Sequence, residues 1–283
     1  MSTIDKVRIF AERLLEEPPF RLFARPLIAR LPLSVRTKAH WDAVDRPQYL
    51  AGLLAAADEA RRDNLTAISA FEFGVAGGNG LLAMERLSEA VQKETGVRIV
   101  VYGFDAGTGL PELIGDHRDF PDRWREGDYP MDEEALRKRL CPTTQLIIGD
   151  VRYTVPREMP KIREPIGFVS VDVDIYSSTR DLLKMFTLPH RRMLKRVYMY
   201  FDDIDLPFTH KYAGEQLAID EFNATSKHVK IDTWRALAKG RPFPENAWVR
   251  RMYIAHDLEA ISNARLSRPA GVIELDSVRG NTG

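Results

Sequence analysis

The chain reads as an α/β domain on a mostly parallel sheet, and three features predict this. Short apolar runs rich in β-branched and aromatic residues alternate with helical patterns from Leu65 onward. Several of these runs close in carboxylates, at Asp105, at Asp172 and at Asp202-Asp203. A glycine-rich turn, Gly74-Val-Ala-Gly-Gly-Asn-Gly80, joins the first run to the first helical pattern. Such alternation implies right-handed crossovers with helices packed on the sheet. Runs that are apolar throughout fit strands buried on both faces.

Residues 1–62 read as a helical N-terminal segment. Ile4, Val7, Phe10 and Leu14 recur at helical spacing, and Pro18, Pro19, Pro26 and Pro32 then break the pattern into pieces. A second helix is expected over Arg46–Arg62, with Leu50, Leu53, Leu54 and Ala57 on one stripe. Arg21, Arg25, Arg30 and Arg36 lie between. They read as the solvated face of a lid or oligomer contact in preference to a phosphate site. Residues 63–266 hold the sheet. Strands are predicted at 67–73, 98–104, 144–149, 166–172 and 196–201, and helices at 79–95, 132–140, 178–188 and 213–225. Segments 228–232 and 248–255 add two strands. The stretch joining them is too irregular for a crossover helix, so they are expected as an antiparallel pair that completes seven strands. Residues 267–283 read as a partly disordered tail.

Composition narrows the partners. The 283-residue chain has a formal net charge of +0, so no global field argues for nucleic acid or an anionic membrane. The lone Cys141 rules out an internal disulfide and fits a reducing compartment. The N-terminus carries Asp5, Lys6, Arg8, Glu12 and Arg13 where a signal sequence would be apolar, and no run of about eighteen apolar residues occurs. The expectation is a cytoplasmic protein with a small-molecule partner.

Two cofactor frames compete at the first turn. Gly78-x-Gly80-x-x-Ala83 matches a dinucleotide fingerprint, which would make the chain an NAD(P)-dependent oxidoreductase. That fingerprint should begin right at the strand end, and here several residues intervene. The frame Glu72-x-Gly74-x-Ala76-x-Gly78 begins at the correct place. It resembles motif I of class I S-adenosylmethionine methyltransferases, with Ala76 replacing a glycine. Asp105 closes the second strand, where a carboxylate can accept ribose hydroxyls from either cofactor. Gly149-Asp150 closes the third, at the adenine edge of the usual ligand path, or forms an Asx turn.

The acidic ends of the fourth and fifth strands point to a metal. Neighbouring strands lie about 4.8 Å apart. If these two strands are neighbours, three or four of Asp172, Asp174, Asp202 and Asp203 converge and repel unless a cation holds them, and open oxygen ligands suit Mg²⁺. His210 follows in the next loop as a second candidate for proton transfer.

Together these motifs resemble the macrocin O-methyltransferase-like family, metal-dependent class I methyltransferases that modify sugar hydroxyls. The resemblance covers roughly residues 46–256. It rests on the Glu72 glycine loop, Gly103-Phe-Asp105 with Gly109-Leu-Pro111, Asp172-x-Asp174-x-Tyr176-x-Ser178-Thr179, Asp202-Asp203, and Gly214-Glu-Gln-Leu-Ala218-Ile-Asp220-Glu221-Phe222. It implies a Rossmann-like methyltransferase domain over 63–266. Glu72, Gly74, Ala76, Gly78, Asp105, Gly149 and Asp150 would hold S-adenosylmethionine. Asp172, Asp202 and Asp203 would hold Mg²⁺, with Asp174 as base. A sugar or other diol would be the acceptor. The chain departs from the family at Ala106-Gly107-Thr108, where a serine and an aromatic are usual, and at Ile204, where a tyrosine often stands. A non-catalytic S-adenosylmethionine-binding module is a further alternative, against which the retained acidic cluster argues.

Overall fold

A computed structural model of the chain describes residues 17, 19–189 and 191–264. The predicted first helix around Ile4–Leu14 and the tail 267–283 lie outside the described residues. Three helices lead in: α1 (Phe20–Arg30), α2 (Val35–His40) and α3 (Pro47–Arg62). There follow β1 (Ala67–Phe73), α4 (Asn79–Thr95), β2 (Arg98–Asp105), α5 (Glu133–Arg137), β3 (Gln145–Ile148), α6 (Val151–Glu158), β4 (Ile166–Val171), α7 (Tyr176–Leu183), β5 (Met193–Phe201), α8 (Gly214–Thr225), β6 (Val229–Thr233), α9 (Ala247–Arg250), β7 (Met252–Asp257) and α10 (Leu258–Asn263).

The strands form one seven-stranded sheet in the order β3-β2-β1-β4-β5-β7-β6. The first five pair in parallel, and β7 runs antiparallel between β5 and β6. The predicted α/β class and the antiparallel C-terminal pair are therefore both present.

Alternation along each strand divides the core into two layers. Ile68 and Ala70 of β1 face α3 and α4, among Tyr49, Leu53, Leu81 and Met84. Phe71 and Phe73 face the other way, among Val155, Leu182, Phe186 and Phe222. Glu72 shares the parity of Ile68 and Ala70, so its carboxylate enters the α3/α4 layer. Helix α3, expected within the N-terminal segment, is thus one wall of the sheet's own core.

The N-terminal arginines pin that segment to the domain. Arg25 Nε donates to Asp42 O (2.9 Å), Arg21 Nη1 to Pro242 O (2.6 Å), and Arg36 pairs with Asp58 (2.6 Å). Asp42 is fully buried and accepts from Arg241 (2.6 Å), Asn246 (2.6 Å) and the Trp248 indole (3.2 Å). Helix α1 nonetheless leaves Phe20, Leu22, Phe23 and Leu27 exposed.

Three local expectations are corrected. Helix α6 was missed. Its β-branched sequence Val-Arg-Tyr-Thr-Val and Pro156 are poor helix signals, but Asp150 caps it by accepting from Arg152 N (2.8 Å). The predicted strand over 248–255 starts only at Met252, because Ala247–Arg250 forms a helical turn. The predicted helix 178–188 begins at Tyr176 and ends as a tight turn over Lys184–Phe186. The residue before it, Ile175, offers no side-chain cap. Asp119, from a distant loop, accepts from both Ser177 N (2.8 Å) and Ser177 Oγ (2.9 Å) and takes the place of a cap.

Candidate active site

Four strand ends stand in one row. Phe104 pairs with Phe73, Phe73 with Val171, and Val171 with Phe201. The next residue on these strands is Asp105, Gly74, Asp172 and Asp202 in turn. Backbone bonds continue the ladder across the edge: Gly74 N to Phe104 O (2.9 Å), Asp172 N to Phe73 O (2.9 Å) and Asp202 N to Val171 O (3.0 Å). A cavity of about 380 Å³ opens over this row. Such a crevice at the carboxyl ends of parallel strands is where open α/β sheets bind ligands.

Most of the sequence-predicted residues meet there. Glu72, Gly74, Ala76, Gly78, Asp105, Asp150, Asp172, Asp174, Asp202 and Asp203 all line the cavity. Gly149 and His210 do not. Gly149 donates its N–H to Asp105 O (2.8 Å). His210 is exposed, packs edge-on against Phe120 (centroids 5.5 Å apart) and accepts from Tyr212 N through Nδ1 (3.3 Å).

The carboxylates divide by environment. Oxygens of Asp172, Asp202 and Asp203 lie within 4.8 Å of one another. Asp202 is held by the Tyr200 hydroxyl and by Arg251 (3.2 Å). Asp203 Oδ2 is buried without a hydrogen-bond partner, an expensive condition for a carboxylate oxygen. Burial, then the charges of Asp203 and Asp202, push the Asp172 carboxyl up to about 8. Burial and the charges of neighbouring aspartates also raise Asp174 and Asp203. Close acidic oxygens, one of them orphaned, fit a hard divalent cation.

Asp174 shares the cluster's electrostatics but stands apart in backbone. Strand β4 ends at Val171, so Asp172 and Asp174 both lie beyond the regular strand. Asp174 has a positive φ of 60°, in a tight turn where Ile175 N donates to Val173 O (2.6 Å). A left-handed conformation in a non-glycine residue stores strain and recurs at functional sites, and aspartate tolerates it better than most.

The glycine loop is shaped by its neighbours. Asp105 Oδ2 accepts from Val75 N and Ala76 N (both 2.8 Å), and Oδ1 from Gly107 N (2.6 Å). Three of about four lone-pair sites are thus spent on the protein. The side chains missing from Gly78 and Gly80 would collide with Leu136 Cδ1 (2.2 Å) and Glu72 Oε1 (1.8 Å). Both positions are therefore filled by protein. Glu72 is 2% exposed. Its Oε1 accepts from Tyr49 Oη (2.8 Å) and its Oε2 has no partner. Burial pushes its carboxyl up to about 8, against the Tyr49 hydrogen bond.

Sequence reasoning missed five contributors. Arg46 and Tyr49 arrive from the start of α3, far upstream. Trp124 and Tyr129 come from the long 106–131 loop, folded back through Leu110 N to Asp128 O (2.8 Å) and Gly127 N to Leu110 O (2.9 Å). That loop has no periodicity to reveal it. Glu215, behind Asp203, accepts from Asp203 N (3.1 Å). It did lie within a motif already singled out.

No protein-family model matches the chain, and no curated protein does. Among solved structures the chain is similar to CalS11, a calicheamicin methyltransferase. The identity is 21%, the match covers 85% of this chain and 93% of that one, and the TM-score is 0.51. A second is the O-methyltransferase TomG from Streptomyces achromogenes, involved in tomaymycin synthesis. It is 14% identical, with 91% and 99% of the two chains covered and a TM-score of 0.43. The fold is that of the class I methyltransferases, with an antiparallel seventh strand and helices flanking the sheet. No helix among the described residues is long and apolar enough to cross a membrane.

Proposed function

We propose that the chain is a divalent-metal-dependent O-methyltransferase of the macrocin O-methyltransferase-like kind. It would transfer the methyl group of S-adenosylmethionine to a hydroxyl of a small diol, such as a sugar, in natural-product or saccharide biosynthesis. The observation that carries this is the row Gly74–Asp172–Asp202, which sets a glycine loop beside a cluster of close carboxylates in one cavity. The fold shared with a calicheamicin methyltransferase supports the cofactor class. A dinucleotide is less well supported, because β1 ends at Phe73 and its frame starts only at Gly78, whereas Gly74 stands in the strand-end row.

Asp172, Asp202 and Asp203 would hold Mg²⁺, while Glu72, Gly74, Ala76, Gly78, Asp105 and Asp150 would shape the cofactor end. Bound S-adenosylmethionine supplies an activated sulfonium methyl, and bound Mg²⁺ supplies Lewis acidity that lowers a hydroxyl pKa. The chain's own work is alignment and proton removal. Alignment alone can contribute about 7–11 kcal/mol in favourable cases. Asp174 receives the acceptor proton. Its raised pKa brings it near neutrality, where a general base is effective. Asp174 is favoured over His210, whose Nδ1 is already engaged and which lies outside the cavity lining. Trp124 and Tyr129 offer an aromatic wall to the acceptor. The indole N–H of Trp124 is buried without a partner and is available to a hydroxyl. Self-association through the exposed apolar residues of α1 and a cytoplasmic location belong to the same reading.

Thermal shifts with S-adenosylhomocysteine and with NAD, each with and without Mg²⁺, test it. Stabilisation by S-adenosylhomocysteine, enhanced by Mg²⁺, is expected. Stabilisation by NAD alone would overturn it. Methyl transfer to model diols then separates an enzyme from a binding module.

A further inference from the structure

Arg46 is the one cationic side chain among the described residues lining the cavity, where eight carboxylates surround it. It sits just before Pro47 at the start of α3, half-buried. Its guanidinium carbon lies 5.4 Å from the centroid of the Tyr49 ring. Among the described residues it makes no hydrogen bond and no ion pair, although it carries five donors in a fork suited to carboxylates. At the edge of the same ring, the Tyr49 hydroxyl donates to Glu72 Oε1 (2.8 Å) and accepts from Ser170 Oγ (3.0 Å). Glu72 Oε2 remains a buried acceptor without a partner, facing the same cavity.

An unsatisfied donor fork and an unsatisfied acceptor thus line one cavity, both in contact with one tyrosine. A group that answers both must carry a carboxylate and a cation a few bonds apart, as an α-amino acid does. A phosphate would answer the arginine alone and would bring more negative charge to eight carboxylates. We propose that Arg46 binds the carboxylate, and Glu72 the ammonium, of the amino-acid end of S-adenosylmethionine. This rests on the cofactor assigned above and adds Arg46 as the residue that selects the intact cofactor over its adenosine fragment.

Calorimetry tests this with two ligands. S-adenosylhomocysteine carries the amino-acid end, whereas 5′-methylthioadenosine keeps the adenosine and thioether and lacks it. Arg46→Ala is expected to weaken S-adenosylhomocysteine about ten- to a hundredfold, the scale of a lost charged hydrogen-bond pair, and to leave 5′-methylthioadenosine unchanged. Equal losses for both ligands, or none for either, would overturn the proposal. So would a tighter Mg²⁺ affinity with unchanged S-adenosylhomocysteine, which would make Arg46 only a screen for the acidic cluster. Should the variant not fold, decarboxylated S-adenosylhomocysteine on the unaltered protein gives the same reading, and equal affinity for the two ligands would sink it. If the unaltered protein binds no S-adenosylhomocysteine at all, the cofactor assignment fails first and the role of Arg46 falls with it.

Discussion

The Cβ that Gly74 lacks would stand 1.6 Å from the carbonyl oxygen of Asp172. The first cofactor-loop residue and the first acidic residue are therefore in backbone contact across adjacent strands. Gly74 also has a φ of 82°, a region costing other residues about 1–2 kcal/mol. Gly74→Ala should lower stability by at least that amount, and Tm by at least about 2 °C. It should also weaken S-adenosylhomocysteine, because relief of the clash must part β1 from β4. Unchanged melting and unchanged affinity together would show that the edge is more pliable than the contact implies.

A second prediction concerns pH. Asp172 is raised to about 8 from an ordinary carboxylate value, chiefly by burial and then by Asp203 and Asp202. A carboxyl raised on folding binds more protons folded than unfolded, so its stabilising effect is complete at low pH and is lost as pH rises through the folded value. In EDTA, stability should therefore fall between about pH 4 and pH 8, by up to about 1.4 kcal/mol per pH unit for one such group. Asp172→Asn should flatten part of that fall. Mg²⁺ competes with the protons, so its stabilising effect should grow with pH in the unaltered protein and, at the same Mg²⁺ concentration, grow less in Asp172→Asn. Melting curves across pH, with EDTA or Mg²⁺, decide the matter. An Mg²⁺ effect that shrinks with pH would contradict it.

Much of this edge was legible because parallel strands write their ends plainly. Phe168-Val-Ser-Val171 and Val197-Tyr-Met-Tyr-Phe201 are apolar to the last residue and then turn acidic. Their adjacency had to be supposed from the sequence, and the sheet order supplies it. What was hidden depends on side chains that meet across long separations. Tyr49 reaches Glu72 only because α3 packs on the face that Glu72 shares with Ile68 and Ala70. Asp119 reaches Ser177 through a loop with no period at all. The turn at Asp174 was hidden too, since an aspartate two residues beyond a strand end does not announce a positive φ.

Glu215 supplies a third prediction. It is 2% exposed, accepts from Asp203 N (3.1 Å), and leaves Oε1 without a partner. Burial, and then the charges of Asp203, Asp172 and Asp202, hold its carboxyl well above the usual range. That shift favours the neutral acid over the anion behind the cluster. Glu215→Gln keeps an acceptor for the Asp203 N–H and should change stability by less than about 1 kcal/mol. Glu215→Ala strands that N–H and opens a void, costing about 2–4 kcal/mol. Denaturant titrations of the two variants provide the comparison. If glutamine were as damaging as alanine, Glu215 would have to act as an anion.

The last prediction separates Asp172 from Asp174. Asp172 continues the strand row beside Asp202, whereas Asp174 stands two residues on with its backbone turned to a φ of 60°. Both line the cavity, yet only Asp172 shares the close grouping with Asp202 and Asp203. Asparagine keeps the shape of either side chain, removes its basicity, and tolerates the left-handed conformation at position 174 as aspartate does. Asp174→Asn should then leave the fold and metal affinity nearly intact and slow the chemical step by about 10²–10⁴-fold, the range for a lost general base. Asp172→Asn should do the reverse, weakening Mg²⁺ first and recovering much of its rate when the metal is raised to saturation. Single-turnover rates at saturating Mg²⁺, paired with metal titrations of both variants, measure the division directly. A normal rate in Asp174→Asn would move the base elsewhere. His210→Ala would then be the next variant to make, although that ring lies outside the cavity lining and its Nδ1 already accepts from Tyr212 N.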